Sequence, residues 1–191
     1  MKCTESHIMG VKIIEPDCYG DNRGWFMETY NLEKYQAIGI DTVFIQDNMS
    51  YSGKKGTLRG LHFQNNPLSQ AKLVRCVRGV VVDVCVDIRK GSPTYLQYEA
   101  VELSAENKRQ LYIPRGFAHG FVTISDDVEF EYKVDNFYSK ELDRGIQYND
   151  PSIHVDWSKL LNGLDPILSE KDIHSPLLKD SDCNFIYGEE K

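Results

Sequence analysis

The sequence predicts a mainly β domain, a sandwich or barrel of many short strands with short helices at both margins. Its strongest periodic stretch is 80–88, where valines and Ile88 alternate with residues that include Asp83, Cys85 and Asp87. A period of two is typical of a half-buried strand. Shorter alternating stretches lie at 72–77, 98–103, 110–113, 117–124 and 129–134, with turn-forming residues between them at 78–79, 91–93, 114–116 and 125–127. Short strands at such close spacing indicate a sandwich or barrel.

Two short helices complete the prediction. Asn31 can cap a short helix that runs through Leu32, Tyr35 and Ile38, and Gly39 supplies the left-handed residue that ends it. Near the end of the chain, Ser169 and Asp172 have the spacing of a capping box. The length of 191 residues, of which 41% are hydrophobic, suits one domain with a substantial core.

Charge and cysteine content exclude several classes of partner and location. The 22 basic and 29 acidic side chains give a net charge of -7, which argues against nucleic acid or an anionic membrane as the main partner. A local basic cluster could still bind an anionic ligand. The five cysteines are scattered without CxxC spacing, as expected for free thiols in a reducing compartment. No stretch resembles a signal peptide or a membrane span, so we expect a soluble, cytoplasmic protein.

Polar side chains fall on the apolar faces of several predicted strands. Lys72, His119 and Tyr132 each share a register with hydrophobic neighbours, and His62 lies in the apolar segment 58–64. A single inward histidine or tyrosine is most often a hydrogen-bonded core residue. A base, a cation and a phenol on consecutive strands of one barrel instead favour a ligand cavity.

Arg59 poses a problem of register. Strict alternation places Arg59 and His62 on opposite faces of their strand. Both can reach one cavity only if Gly60 permits a β-bulge; otherwise Arg59 serves a neighbouring site.

A metal site is the main competing interpretation of a histidine-containing barrel. Residues 62–64 have the form of a His-x-His pair in which Gln64 replaces the second histidine. Lys72 would repel a cation, and no histidines or carboxylates have convincing ligand spacing. The sequence therefore favours a site without a metal.

A series of motifs in fixed order identifies a family. They lie at 21–26, 46–48, 58–64 (Leu-Arg-Gly-Leu-His-Phe-Gln), 72–75, 83–89, 92–94, 113–121 (Ile-Pro-Arg-Gly-Phe-Ala-His-Gly-Phe), 132–133, 144–146, 149–151 and 168–172. Across almost the whole chain the sequence resembles the dTDP-4-dehydrorhamnose 3,5-epimerases of the cupin superfamily. The resemblance implies a double-stranded β-helix (a cupin or jelly-roll barrel), a homodimer and no cofactor. It also implies one epimerase domain over 1–191, with the barrel core at about 45–150 and a C-terminal helical segment at about 155–185 packing over the site.

The resemblance also implies roles for individual residues. His62 would be the general base, paired with Asp172; Tyr132 would be the acid on the other side of the sugar, and Lys72 would hold the C4 oxygen as it becomes an enolate. From the residues alone, Asp172 could equally be only the partner of Ser169 in a helix cap. The implied substrate contacts are Arg23, Glu28, Gln46, Asn48, Arg59, His119, Tyr138, Asp143 and Lys171, the basic ones serving the diphosphate.

The implied reaction is inversion at C3 and C5 of dTDP-4-dehydro-6-deoxy-D-glucose, giving dTDP-4-dehydro-L-rhamnose. A 4,6-dehydratase and a 4-keto reductase would be its pathway neighbours. Asp143 stands where the family usually has glutamate, and Tyr148 where it usually has tryptophan, so the fit of sugar or nucleotide is open. The alternatives are a C3-only epimerase, an epimerase of GDP-linked keto sugars including heptoses, and a cupin that binds a sugar nucleotide without turning it over. A metal-dependent oxygenase would need ligands that the chain lacks.

Overall fold

The computed structural model describes residues 1–189, which form thirteen strands and three short α-helices. The strands are β1 (Lys2–Glu5), β2 (Lys12–Glu15), β3 (Cys18–Asp21), β4 (Gly24–Met27), β5 (Gln46–Ser52), β6 (Leu58–Gln64), β7 (Lys72–Arg78), β8 (Val80–Asp87), β9 (Tyr98–Ser104), β10 (Gln110–Ile113), β11 (Phe117–Thr123), β12 (Val128–Val134) and β13 (Asp143–Gly145). The helices are α1 (Leu32–Gln36), α2 (Trp157–Leu161) and α3 (Glu170–Ile173), and a 3-10 helix spans Leu178–Asp180.

Two antiparallel sheets pack face to face. One has the strand order β1-β2-β10-β7-β12-β5, and the other has the order β13-β6-β11-β8-β9; β3 and β4 form a separate hairpin. Each alternating stretch predicted from the sequence is a strand whose ends differ from the prediction by no more than one residue. The prediction of a mainly β, double-stranded β-helix with short marginal helices is confirmed. The last two residues of the predicted domain, 190 and 191, lie outside the described residues.

Buried apolar residues form three clusters, one between the two sheets and one on the outer face of each sheet. Residues from both sheets, such as Val74, Phe121 and Phe130, meet in the barrel interior. The outer face of the five-stranded sheet is covered by the C-terminal segment, which contributes Trp157 and Phe185. Tyr35 of α1 packs on the outer face of the six-stranded sheet. Both sheets are therefore buried on two sides over part of their area.

The expectation that 80–88 is half-buried is wrong, because both registers of β8 are buried. The valine register packs outward against the C-terminal segment, and Asp83, Cys85 and Asp87 of the other register are 0% exposed. A period of two cannot reveal a covering layer supplied by residues some 70 positions later. The polar register of β8 therefore faces the barrel interior, where Asp83 becomes available to the site described below.

The predicted helix ends are close to those observed. Asn31 Oδ1 accepts a hydrogen bond from Lys34 N at 3.2 Å, as an N-cap does. The helix ends at Gln36, two residues before the predicted Ile38, and Gly39 follows with φ of +75°. Within residues 1–189 no helix is long and apolar enough to cross a bilayer. All five cysteines are free, as the sequence predicts.

Candidate active site

A β-bulge in β6 resolves the register problem of Arg59. Where β6 pairs with β11, His62 lies opposite His119 and Arg59 lies opposite Phe121, so β6 holds one extra residue there. Gly60 adopts φ of +125°, and a Cβ on it would lie 2.6 Å from Gly120 Cα. Only glycine fits this approach. The bulge turns the side chains of Arg59 and His62 into the same cavity.

This cavity has a volume of about 490 Å³ and lies at one end of the barrel, beneath the segment that leads into α3. Its size suits a sugar ring with part of a nucleotide. It brings together most of the residues predicted from the sequence. The predicted residues that line it are Arg59, His62, Lys72, His119, Tyr132, Tyr138, Asp143, Lys171 and Asp172.

His62 and Asp172 form a hydrogen-bonded dyad in the cavity wall. His62 Nε2 lies 2.5 Å from Asp172 Oδ1, and the carboxylate is only 4% exposed. Burial raises the pKa of Asp172, but hydrogen bonds from His62 and Ser169 outweigh it and leave that pKa below its ordinary value. Asp172 is therefore ionised at neutral pH and fixes the imidazole with Nε2 as donor, which leaves Nδ1 to accept a proton.

The same aspartate also completes the helix cap. Ser169 Oγ accepts from Asp172 N at 3.2 Å and donates to Asp172 Oδ2 at 2.8 Å. The sequence presented capping and pairing with histidine as alternatives, but the two carboxylate oxygens allow both. The cap fixes the carboxylate, and the carboxylate orients the imidazole.

Lys72 places an ammonium group in the same cavity as the dyad. Its side chain is 9% exposed, and within residues 1–189 its Nζ has no hydrogen-bond partner. Burial lowers the pKa of Lys72 to about 8, while the negative charges of Asp83 and Asp143 oppose that shift. At neutral pH the group is mostly charged and is free to bind an oxygen of a ligand.

A second histidine–carboxylate pair lies next to Lys72. His119 Nε2 is 2.8 Å from Asp83 Oδ2, and Asp83 is fully buried. Burial lowers the pKa of His119, so this ring is neutral at neutral pH. Asp83 is not among the site residues predicted from the sequence. Its position in the non-valine register of β8 was the available signal, but that register was expected to face solvent.

Tyr132 supplies the phenol of the cavity. It lies on β12, partly buried, in register with Phe130 of the barrel interior. Burial raises the pKa of Tyr132 above its ordinary value, so the hydroxyl stays protonated and can donate.

The mouth of the cavity carries an ion pair and an aromatic ring. Lys171 Nζ lies 2.5 Å from Asp143 Oδ2, and Tyr138 Oη donates to the same oxygen at 3.3 Å. Gln64 and Gln70 also line the cavity and were not selected from the sequence as site residues. An isolated glutamine carries no charge or periodicity that would separate it from an ordinary polar residue.

The remaining predicted contacts lie outside this cavity. Arg23 is on the exposed β3–β4 hairpin and pairs with Asp21 at 2.6 Å, and Glu28 pairs with Lys34 at 2.9 Å. Gln46 Nε2 donates to Asn48 Oδ1 at 2.8 Å on β5, the edge strand next to β12. Among residues 1–189 no group of three or more histidine, cysteine or acidic side chains is placed to hold a metal ion.

Comparison with known proteins gives the family. The family model of dTDP-4-dehydrorhamnose 3,5-epimerase matches residues 5–180. The chain belongs to this family. The dTDP-4-dehydrorhamnose 3,5-epimerase of Shigella flexneri is 51% identical over 183 residues, which cover 95% of this chain and 98% of the relative.

Solved epimerase structures match the whole cavity-bearing barrel. The 3,5-epimerase of Legionella pneumophila, in complex with dTDP-4-keto-L-rhamnose, aligns with a TM-score of 0.89 and 46% identity over 95% of this chain and 94% of that one. A 3'-monoepimerase of Streptomyces bikiniensis, in complex with dTDP-quinovose, aligns with a TM-score of 0.83 and 33% identity over 91% and 86%. The fold is therefore common to epimerases that invert one centre and to those that invert two.

Proposed function

We propose that this protein inverts C3 and C5 of dTDP-4-dehydro-6-deoxy-D-glucose to give dTDP-4-dehydro-L-rhamnose. The observation that carries the proposal is one cavity lined by an imidazole–carboxylate dyad, a buried ammonium and a phenol. Membership of the 3,5-epimerase family and the dTDP-4-keto-L-rhamnose held by the Legionella relative support this substrate. The proposal requires no cofactor, because the C4 ketone of the substrate itself acidifies the hydrogens on C3 and C5.

His62 is the proposed base for both centres. Its Nδ1 takes the proton from C3 or C5, and the electron pair of the broken C–H bond moves into the C4 carbonyl to form an enolate. The imidazolium that results is stabilised by the Asp172 carboxylate 2.5 Å away. General bases of this kind typically contribute about 10²–10⁴-fold to the rate.

Lys72 is the proposed partner of the enolate oxygen. Because its side chain is buried and its Nζ has no hydrogen-bond partner among the described residues, a charge that develops on O4 meets an unsatisfied donor. Placed charges in such low-dielectric sites are typically worth about 3–4 kcal/mol. Asp83 and His119 form the wall behind Lys72, and we propose that the negative charge of Asp83 helps to keep the ammonium protonated.

Tyr132 is the proposed acid. Inversion requires that the proton returns to the face opposite the one from which it left, so the donor must be a second group. The Tyr132 hydroxyl is protonated at neutral pH and is carried by the six-stranded sheet, whereas His62 is carried by the five-stranded sheet. The two groups thus belong to opposite walls of the cavity.

Arg59 and Lys171 are the proposed diphosphate contacts within the chain, since both are cations in the cavity wall. Arg23 and Glu28 do not line the cavity of their own chain. The β3–β4 hairpin beside them leaves Tyr19, Trp25 and Phe26 exposed by 64%, 60% and 69%. Apolar surface of this kind suits an interface. We propose a homodimer in which this hairpin approaches the cavity of the partner.

The substrate's chemistry also defines the neighbouring reactions. A 4,6-dehydratase must create the ketone and the 6-deoxy carbon, and a 4-keto reductase would consume the product. We propose a cytoplasmic location, which the free state of all five cysteines supports.

The decisive experiment is incubation of the pure protein with dTDP-4-keto-6-deoxyglucose in D₂O. A reductase traps the products, and mass spectrometry and NMR locate the deuterium. Label at both C3 and C5 in an L-rhamno product is expected. Label at C3 alone would reassign the protein to the single-centre epimerases. Absence of label would reject the substrate and make GDP-linked keto sugars the next candidates, and binding without label in any of them would indicate a non-catalytic protein.

A further inference from the structure

We propose that Gln64 is a positioning residue that holds the segment 137–139 in place, so that Tyr138 forms one wall of the cavity. The inference rests on the proposed function for its kinetic test. It concerns a side chain that the reaction itself does not require, because a neutral amide in this position neither moves a proton nor carries a charge.

The contacts of Gln64 show a clamp on two loops. Gln64 is the last residue of β6, and only 4% of it is exposed. Its Oε1 accepts from Ser139 N at 2.8 Å, and its Nε2 donates to Phe137 O at 3.0 Å and also to Leu68 O. One carboxamide therefore binds the backbone on both sides of Tyr138 and ties it to a second loop.

Tyr138 needs such support because it has little packing of its own. It is 58% exposed, and among residues 1–189 its hydroxyl makes only the 3.3 Å hydrogen bond to Asp143. Its backbone N donates to Gln46 Oε1 at 3.2 Å. Three consecutive backbone units, 137–139, are thus held by two glutamine side chains that extend from the ends of β6 and β5.

The chemistry of the clamp is specific to an amide. It must donate to carbonyl oxygens and accept from an N–H at the same time, which neither a carboxylate nor an alkyl group can do. Gln64→Leu removes both functions, and Gln64→Glu places a carboxylate against two carbonyl oxygens. Either change removes the Gln64 hydrogen bonds on both sides of Tyr138, so that Gln46 alone holds its backbone, and neither change replaces His62, Lys72 or Tyr132. We therefore expect weaker substrate binding, because the free energy needed to order the Tyr138 segment is then subtracted from the affinity.

A double-mutant cycle tests the proposal. We expect Gln64→Leu to raise KM by about tenfold, which corresponds to the free energy of one or two hydrogen bonds. The value of kcat should stay within about threefold of the wild type. Tyr138→Ala should raise KM to a similar extent. The double variant should be no worse than Tyr138→Ala alone, because Gln64 acts through Tyr138. Additive effects on KM, or a fall in kcat with KM unchanged, would overturn the proposal.

Asn65→Leu provides the matched control. Asn65 is the next residue, is 3% exposed, and likewise bridges backbone groups: its Nδ2 donates to Asp182 O at 3.0 Å and its Oδ1 accepts from Asn184 N at 3.4 Å. Its partners lie in the C-terminal segment rather than in residues 137–139. This variant should lose thermal stability as Gln64→Leu does, but keep the wild-type KM.

Amide hydrogen exchange gives a readout that does not depend on turnover. The amide of Ser139, which loses its acceptor, should exchange at least about tenfold faster in Gln64→Leu and at the wild-type rate in Asn65→Leu. Unchanged exchange in Gln64→Leu would refute the clamp even if the enzyme is active. If the wild type does not label the sugar in D₂O while exchange responds as expected, the clamp stands and the proposed function fails.

Discussion

Asp172→Asn isolates the contribution of the His62–Asp172 dyad with almost no change of shape. The 2.5 Å contact joins a carboxylate that is 4% exposed to a ring that is 31% exposed, and the asparagine keeps the size but loses the charge. A hydrogen bond to a charged group is worth about 1.5–3 kcal/mol. Because the imidazolium exists only after proton abstraction, most of that energy is lost in the transition state. We therefore expect kcat for deuterium wash-in to fall about 10- to 150-fold at both C3 and C5.

The assay is the initial rate of deuterium incorporation at saturating substrate, followed by mass spectrometry, with thermal unfolding to confirm the fold. Asp156→Asn is the matched control. Asp156 caps α2 as Ser169 caps α3, accepting from Lys159 N at 3.1 Å, but it does not line the cavity. This control should keep the wild-type rate. If Asp172→Asn retains more than about a third of the wild-type kcat, the carboxylate does not assist His62 as a base. Asp172 would then serve only the helix cap with Ser169.

Three further predictions concern the other groups of the cavity. Because the pKa of Lys72 is about 8, kcat/KM should fall as pH rises through that value. Asp83→Asn removes a negative charge that raises this pKa, so the fall should move to lower pH. Identical pH–rate profiles in both proteins would refute the assignment of the fall to Lys72. Tyr132→Phe should reduce trapped L-rhamno product by about 10²-fold or more while His62 still exchanges protons with solvent, and full inversion measured by NMR would contradict this. Gly60→Ala should lower the free energy of unfolding, measured by urea titration, by about 2–4 kcal/mol. The added Cβ would lie 2.6 Å from Gly120 Cα, and the backbone there has a φ of +125°. An unchanged urea midpoint would show that the bulge can relax.

The sequence by itself determined the architecture and much of the candidate site. Alternation located the strands around the cavity, because a period of two is a local property of the chain. The inward registers of Lys72, His119 and Tyr132 followed from the same rule, and the ordered motifs pointed to the family. The cap formed by Ser169 and Asp172 was also readable, since a capping box depends on residues only three positions apart.

Only the tertiary structure decided how these pieces meet. The bulge at Gly60 directs Arg59 and His62 into the same cavity. It requires glycine because β11, a distant part of the chain, approaches too closely for a side chain. Asp83 faces the barrel interior and pairs with His119 of the cavity wall, while the C-terminal segment covers the opposite face of β8, which local periodicity cannot report. Asp172 lies 110 positions from His62, and the amide of Gln64 reaches Ser139 across 75 positions. Such long-range contacts depend on how the sheets pack, so they emerge only when the barrel has closed.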